Sequence, residues 1–303
     1  MSQQKLLQMV VSVLIMGGYQ VSERFDMRPR SFDLIARHDE MPLVIKVVTH
    51  IDSVTEDIAH DLALIARCLK GKPLIVGERA RDTGLERGAI YLRYGIVAVN
   101  VSTLYDYLVE RIPPLVYASP GGLYVNINGD LLRELREQHQ LSLGDLAHVL
   151  GVSRRTISKY EGGMGTTLDI AVRLEELFDT AIVEAIDLLS YESPVEHRFP
   201  PQNASVPPDL ERMGMTMHAM QRAPFQALVQ FREELILTGY GPAQKVVRRA
   251  AIIGNISEIA KTRAMCVITD YNKQKKVGKT LIIGEKQLHF LEDGSELIEL
   301  IDK

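Results

Sequence analysis

The sequence lacks the usual external braces. Only two of its 303 residues are cysteine. Cys68 and Cys266 stand far apart inside apolar runs, which excludes a disulfide framework and a metal-ligand spacing and points to a reducing compartment. No apolar run reaches membrane-spanning length. The opening "KLLQMVVSVLIMGGY" follows a single lysine, lacks a small-residue cleavage site and passes straight into strand-like sequence. It reads as a buried first helix rather than a signal peptide. A cytoplasmic protein without membrane contact is expected. Bulk positive charge is also missing, since the formal net charge is −4. Any grip on nucleic acid must therefore come from local charge. The eight histidines show no paired metal spacing. "VGKT" at 277–280 ends like a phosphate-binding loop but has Lys273 where that loop needs glycine. The triplets at Asn100, Asn203 and Asn255 have no weight as glycosylation sites in a cytoplasmic protein. No metal and no cofactor are expected.

What is present is ordinary globular composition, 46% hydrophobic and 24% charged, in a chain long enough for two or three domains. Residues 1–112 alternate helix and strand signals and read as one α/β domain. "SFDLIAR" and "PLVIKVV" are strands joined by a polar turn at 38–41. "SVTEDIAHDLALIARCLK" is a helix with a capping box from Ser53 to Glu56 and an apolar face of Ile58, Leu62, Ile65, Ala66 and Leu69. "KPLIVGE" and "GIVAVN" are buried strands. Residues 113–129 read as a β-hairpin connector turning at Pro120-Gly121-Gly122. Residues 130–190 are helical in pattern, 191–210 form a proline-rich linker, and 211–303 return to a small α/β domain. "KPLIVGE" recurs as "KTLIIGE", and "GGY" as "TGY"; duplication and the common habit of buried strands ending in glycine explain these echoes equally well.

The densest signal is "LSLGDLAHVLGVSRRTISKYEGG" (141–163). Two helices crossing steeply need a small side chain at their contact, and Ala147 supplies it. The turn between them needs a residue tolerant of positive φ, and Gly151 supplies that. Val152 and Ile157 point inward. Ser153 caps the second helix, and Gly162-Gly163 end it. The helix before has Leu131, Leu132 and Leu135 on its core side. The helix after offers Leu168, Ala171, Leu174 and Leu177. Over 130–162 five cations balance five anions, yet residues 153–160 carry Arg154, Arg155 and Lys159 and no acid. From 245 to 279 nine cations face two anions, a second region able to meet phosphates or simply a solvated face.

Residues 130–180 resemble the Xre type of helix-turn-helix of phage repressors and Cro-like proteins. The resemblance implies that the second helix enters the major groove. Matched position by position, Arg154, Arg155 and Lys159 fall where that family meets base edges, with Ser153 and Ser158 beside them. Arginine suits the task because its planar fork donates two hydrogen bonds to guanine. The family often has glutamine at the first motif position to grip a phosphate; here that residue is Leu143, and Ser142 is expected to cap the helix instead.

"SFDLIARHDEMPLVIKVV" has the outline of a PD-(D/E)xK nuclease core, with Asp33 and Lys46 in place. The second acid would sit two residues before the lysine, on the same strand face, and there the chain has Val44. The first twenty residues contain no acid either. The frame thus resembles a nuclease with its metal site lost. The whole arrangement is similar to a family of archaeal helix-turn-helix transcriptional regulators, carried by "SFDLIAR", "PLVIKV", "KPLIVGE", "YLRYGIVAVN" and the helix-turn-helix. It implies sequence-specific regulation of transcription by an α/β plus all-α protein and implies neither target genes nor an effector. The leading expectation is a non-enzymatic homodimer on double-stranded DNA, whose flanking α/β domains supply dimerisation, nonspecific DNA affinity or a pocket for an effector ligand of unassigned identity. The alternatives are a structure-specific nuclease or junction binder using the first domain, and a protein-binding adaptor of the transcription machinery.

Overall fold

A computed structural model of the chain describes residues 2–25, 30–191, 207–269, 271 and 273–303. Most of the proline-rich stretch expected as a linker, 192–206, lies outside the described residues.

The chain opens with α1 (Gln3–Met16), capped by Ser2. Then come β1 (Gln20–Val21), β2 (Leu34–His38), β3 (Met41–Val47), α2 (Glu56–Cys68) and β4 (Lys72–Val76). A separate small hairpin, β5 (Arg79–Ala80) and β6 (Thr83–Gly84), precedes β7 (Ala89–Arg93), β8 (Ile96–Val99) and α3 (Val101–Leu108). As the sequence predicts, β2 and β3 form a hairpin, and its two-residue turn holds Asp39 at φ 52°. Strand β3 then runs parallel to β4, and β4 to β8. Alternate side chains of β3 leave the sheet on opposite faces. Leu43, Ile45 and Val47 pack with α1 and α3, whereas Val44 packs with α2. Burial on both faces is why this strand reads as a continuous apolar run.

Helix α2 begins later than its expected capping box. Its N-cap is Thr55, whose extended backbone suits a cap and whose hydroxyl accepts from Ile58 N. Ser53 is already committed to a short 3-10 turn and donates to His50 O at 2.7 Å. The helix is also buried beyond its predicted face, at Ala59, Asp61, Ala63 and Leu64.

The middle of the chain runs β9 (Val116–Ser119), β10 (Gly122–Ile127), α4 (Gly129–Gln138), α5 (Leu143–Leu150), α6 (Arg154–Glu161), β11 (Thr166–Thr167), α7 (Leu168–Phe178) and β12 (Val183–Glu184). Gly122, read as part of the turn, already pairs with Ser119 as the first residue of β10. The stretch expected to be helical throughout contains β11 and β12, both paired with β10. Two residues are too few to show alternation in a sequence. Strand β9 pairs in parallel with β7, so one sheet runs β1-β2-β3-β4-β8-β7-β9-β10-β11.

Helix α7 buries Ala171, Leu174 and Phe178, while Leu168 and Leu177 are exposed. The expected set stepped by three residues each time. Three residues turn an α-helix by only about 300°, so such a row drifts off the core face. A step of four, from Leu174 to Phe178, restores it.

The last part holds α8 (Asp209–Arg212), β13 (Thr216–Ala219), β14 (Ala227–Phe231), β15 (Glu234–Gly241), α9 (Ala243–Ala260), β16 (Arg263–Ile268), β17 (Lys275–Val277), β18 (Thr280–Gly284), α10 (Glu285–His289) and α11 (Gly294–Asp302). Its sheet runs β13-β14-β15-β16-β18-β17. Helix α9 covers one face; α8, α10 and α11 cover the other. The echo of "KPLIVGE" in "KTLIIGE" does not mark equivalent strands: the first forms β4, fourth in its sheet, and the second β18, fifth in its own.

Residues of α2 and the first sheet share one apolar cluster with α9 and the second sheet. Both cysteines are free, and burial pushes the Cys68 thiol up to about 11 and that of Cys266 to about 12. Among the described residues, no helix is long and apolar enough to cross a membrane.

Candidate nucleic-acid interface

The helix-turn-helix is built on two caps and one glycine. Ser142 and Asp145 form a reciprocal capping box at the start of α5: the Ser142 hydroxyl accepts from Asp145 N at 3.1 Å, and the Asp145 carboxylate accepts from Ser142 N at 2.8 Å. These hydrogen bonds hold the Asp145 carboxyl below its ordinary pKa, helped by the nearby charge of Arg154. Gly151 ends α5 at φ 70°, the left-handed conformation the turn requires. Val152 N then donates to Ala147 O at 3.0 Å. The guanidinium of Arg173 covers the same C-terminal end of α5 by donating to Val149 O and Leu150 O.

Helix α6 starts at its N-cap Ser153, whose hydroxyl accepts from Thr156 N at 3.0 Å. Ile157, Tyr160 and Glu161 face inward, and Ser153, Arg154, Arg155, Ser158 and Lys159 are all exposed. Among the described residues, none of the three cations on this face makes an ion pair. Of the five acids counted in balance over 130–162, Glu161 alone is buried. Glu161, with a side chain only 6% exposed, receives Arg136 Nε at 2.6 Å and lies 3.6 Å from Arg133 Nε. Arg136, 11% exposed, also donates to Leu141 O, and its bond to Glu161 raises its pKa. This clamp ties α4 to α6. It closes on Gly129, where a Cβ would come within 2.7 Å of the carbonyl oxygens of Tyr160 and Glu161. The sequence reading missed the clamp, because a buried Glu161 and an exposed one look alike in a charge count. Leu143 packs against the core of this unit.

The second basic region is partly spent as well. Lys261 pairs with Glu40, Arg263 with Glu234 and Asp302, and Lys276 donates to Ile301 O. Lys245 and Arg248 on α9 are exposed.

The nuclease-like frame implies a divalent metal near Asp33, and the residues present do not fit one. The Asp33 side chain is fully buried. One oxygen accepts from Val47 N at 2.7 Å and lies 3.4 Å from Lys46 Nζ, and the other pairs with Arg30. Lys46 also donates to Arg30 O at 2.8 Å. Val44 is buried and brings no oxygen. Among the described residues, no group of three or more His, Cys, Asp or Glu could hold a metal. Asp33 and Lys46 form a buried ionic knot in place of the metal site.

This architecture defines a class, a nuclease-like α/β domain followed by a helix-turn-helix unit. Residues 3–114 match the PD-(D/E)XK superfamily domain, and residues 132–184 match the helix-turn-helix family. Three archaeal relatives bear the provisional name HTH-type transcriptional regulatory protein. That of Methanoregula boonei is 63% identical over 99% of this chain and 96% of its own. That of Methanoculleus marisnigri is 62% identical over the full length of both chains, and that of Methanosphaerula palustris 63% identical over the full length of both. The chain belongs to this family of HTH-type transcriptional regulatory proteins. No solved structure matches it.

Glu161→Ala leaves Arg136 buried without its partner. Chemical denaturation should show a loss of about 3–5 kcal/mol, the range for breaking a buried pair from one side. Asp145→Asn should act differently. The lowered pKa of Asp145 makes its contribution present above the ordinary carboxylate pKa and lost as pH falls through the folded-state value. The stability gap to wild type should therefore be open at neutral pH and close on acidification, which thermal melts across pH 2–7 would read. Asp33→Ala should cost about 3–5 kcal/mol by removing the buried carboxylate that Lys46 and Arg30 share. Magnesium should leave the melting temperature of the wild type unchanged; a clear upward shift abolished by Asp33→Ala would reinstate a metal site.

Proposed function

We propose that the protein is a cytoplasmic, non-enzymatic transcription regulator that binds double-stranded DNA in a sequence-specific way as a homodimer. In this reading α6 enters the major groove. Arg154, Arg155 and Lys159 address base edges, and Ser153 and Ser158 stand beside them at bases or backbone. The observation that supports it most is the α6 face itself: three cations that make no ion pair among the described residues, on a helix whose opposite side is fixed by Ile157, Tyr160 and the Glu161 clamp. Base readout needs side chains free to reach and a helix that does not move. Net negative charge is no obstacle, because the groove meets this face and not the average surface.

The division into 1–112, 113–129, 130–190, 191–210 and 211–303 is part of the proposal, with the helical unit as the reading head. Lys245 and Arg248 are candidates for phosphate contacts beside the site. The flanking α/β units leave room for an effector ligand. Two copies on a two-fold operator would place half-sites about one helical turn apart.

Selection of bound duplexes from a random pool, in magnesium and at near-physiological salt, tests this reading. The expected result is an enriched motif of two related half-sites without cleavage. Arg155→Ala should weaken binding to that motif by about 1–3 kcal/mol and relax preference at one base pair. Equal weakening on every sequence would remove base reading by Arg155. Cleavage abolished by Asp33→Ala would favour the nuclease. Absence of duplex binding at low salt would favour the protein-binding adaptor.

A further inference from the structure

The two sheets of the molecule have the same construction. In the first, β1, β2 and β3 are antiparallel, β3, β4 and β8 are parallel, and β7 follows antiparallel to β8 before the sheet continues into β9. In the second, β13, β14 and β15 are antiparallel, β15, β16 and β18 are parallel, and β17 closes the edge antiparallel to β18. The crossover helices also correspond, α2 joining β3 to β4 and α9 joining β15 to β16. Both of these helices lie on the inner faces of their sheets, with α1 and α3 on the outer face of the first sheet and α8, α10 and α11 on the outer face of the second.

The correspondence extends to single residues. One constant shift in number takes β2–β3 onto β14–β15, so that Leu34 falls on Ala227 and Val47 on Tyr240. Both hairpins turn in two residues with the first at positive φ, Asp39 at 52° and Arg232 at 54°. Asp33 N donates to Ile45 O, and its counterpart Gln226 N donates to Thr238 O, both at 2.8 Å. The Asp33 carboxylate accepts from Val47 N at 2.7 Å, and the Gln226 side-chain oxygen accepts from Tyr240 N at 2.9 Å. Arg37 donates to Asp39 O, and Gln230 to Arg232 O. Each crossover helix is followed by a lysine in the left-handed region, Lys70 at φ 54° and Lys261 at φ 52°, just before its strand.

Two ion pairs between the two units are reciprocal. Lys70 of the first pairs with Glu233 of the second at 2.8 Å, and Lys261 of the second pairs with Glu40 of the first at 3.1 Å. Glu40 matches Glu233 under the hairpin shift, and Lys70 and Lys261 hold the same place in the topology, between crossover helix and following strand. Phe32 matches Phe225, and these two rings touch each other, with centroids 6.2 Å apart. A residue that meets its own counterpart lies beside a two-fold axis, and a pair of contacts that exchange under the correspondence flanks one. This is the signature of an isologous interface between two copies of one fold.

We propose that residues 211–303 are a second copy of the nuclease-like fold of the first unit, and that the surface around α2, Phe32 and the β2–β3 turn is a docking surface for a copy of that fold, occupied within the same chain. The chain is thus a dimer of the fold in one polypeptide, with the helix-turn-helix inserted between the copies. The second copy has Gln226, Leu237 and Gly239 where the first has Asp33, Val44 and Lys46. It has lost every metal-site residue and retained the clasp onto the next strand's N–H. This inference does not rest on DNA binding.

Charge reversals in the full chain test the reciprocal interface. Lys70→Glu and Lys261→Glu should each lower the melting temperature by about 1–3 °C, the scale of an exposed pair in a protein of this size. Glu233→Lys should restore the first and Glu40→Lys the second; rescue by the partner on the same unit instead, or by neither, would overturn the pairing. A protease site placed within 192–206 and cut in the folded protein gives an independent reading. The fragment beginning near 207 should stay bound through native size exclusion, and its release would overturn the docking surface. A crystal structure would decide the duplication: the rotation carrying the first unit onto the second should lie close to 180°, and a rotation far from that value would refute it.

Discussion

The apolar layer shared by α2, α9 and the inner faces of two sheets is the constraint on which the rest of the molecule depends. Each crossover helix has its own sheet on one side and the opposite unit on the other. Neither could keep its side chains dry alone: Ala63 and Leu64 on α2, and Ile253 and Ile256 on α9, belong to a single cluster. Burial of this kind is non-directional and sets little beyond proximity. Orientation comes from the polar contacts at its margin. Arg222 reaches Asp57 and Asp61, Arg37 donates to Ala260 O, and Ser31 donates to Asp61. Burial raises the pKa of Asp61 in spite of these partners.

Most of this was legible in the sequence where a local rule applied. The β2–β3 hairpin, the helix-turn-helix with Ala147 and Gly151, and the caps at Ser142 and Ser153 follow from spacing and residue type, because caps and turns are decided within four or five residues. The misses have physical causes. Ser53 looked like a cap because a cap pattern cannot show that the residue is already committed to a tight turn. Leu168 and Leu177 looked buried because steps of three approximate helical spacing over one turn and fail over three. Strands β11 and β12 were invisible because their partner β10 is distant in the chain. The burial of Glu161 depends on α4 approaching α6 over Gly129, a tertiary fact. The duplication escaped for a related reason. The shared contacts are hydrogen bonds to backbone, which Asp33 and Gln226 make equally well, and the two visible echoes linked segments that are not equivalent.

Charge also divides by depth. At the helix-turn-helix, the acid of α6 itself, Glu161, is drawn inside by Arg136, so the exposed side of α6 has a sign that the total conceals. In the last unit the reverse holds. A run of sequence that reads as strongly basic loses Lys261, Arg263 and Lys276 to internal partners. A count along the chain overstated one surface and understated the other, because it cannot tell which charges have found partners in the fold.

The parallel pairing of β9 with β7 has a mechanical consequence. It makes the hairpin under the helical unit an extension of the first sheet, with Ala89 opposite Val116 and Ile90 opposite Tyr117. Ile186 and Leu188, beyond the last helix of that unit, return to the same domain's outer core. The helical unit is therefore anchored at both its entry and its exit, like a bracket fixed by two bolts rather than a flag on a cord. The direction in which α6 points is inherited from the register of a β-ladder. Ladder register is quantised, since a slip of one residue turns every side chain to the opposite face. The aim of the helix can thus be altered by a discrete step of the chain, but has little freedom to drift.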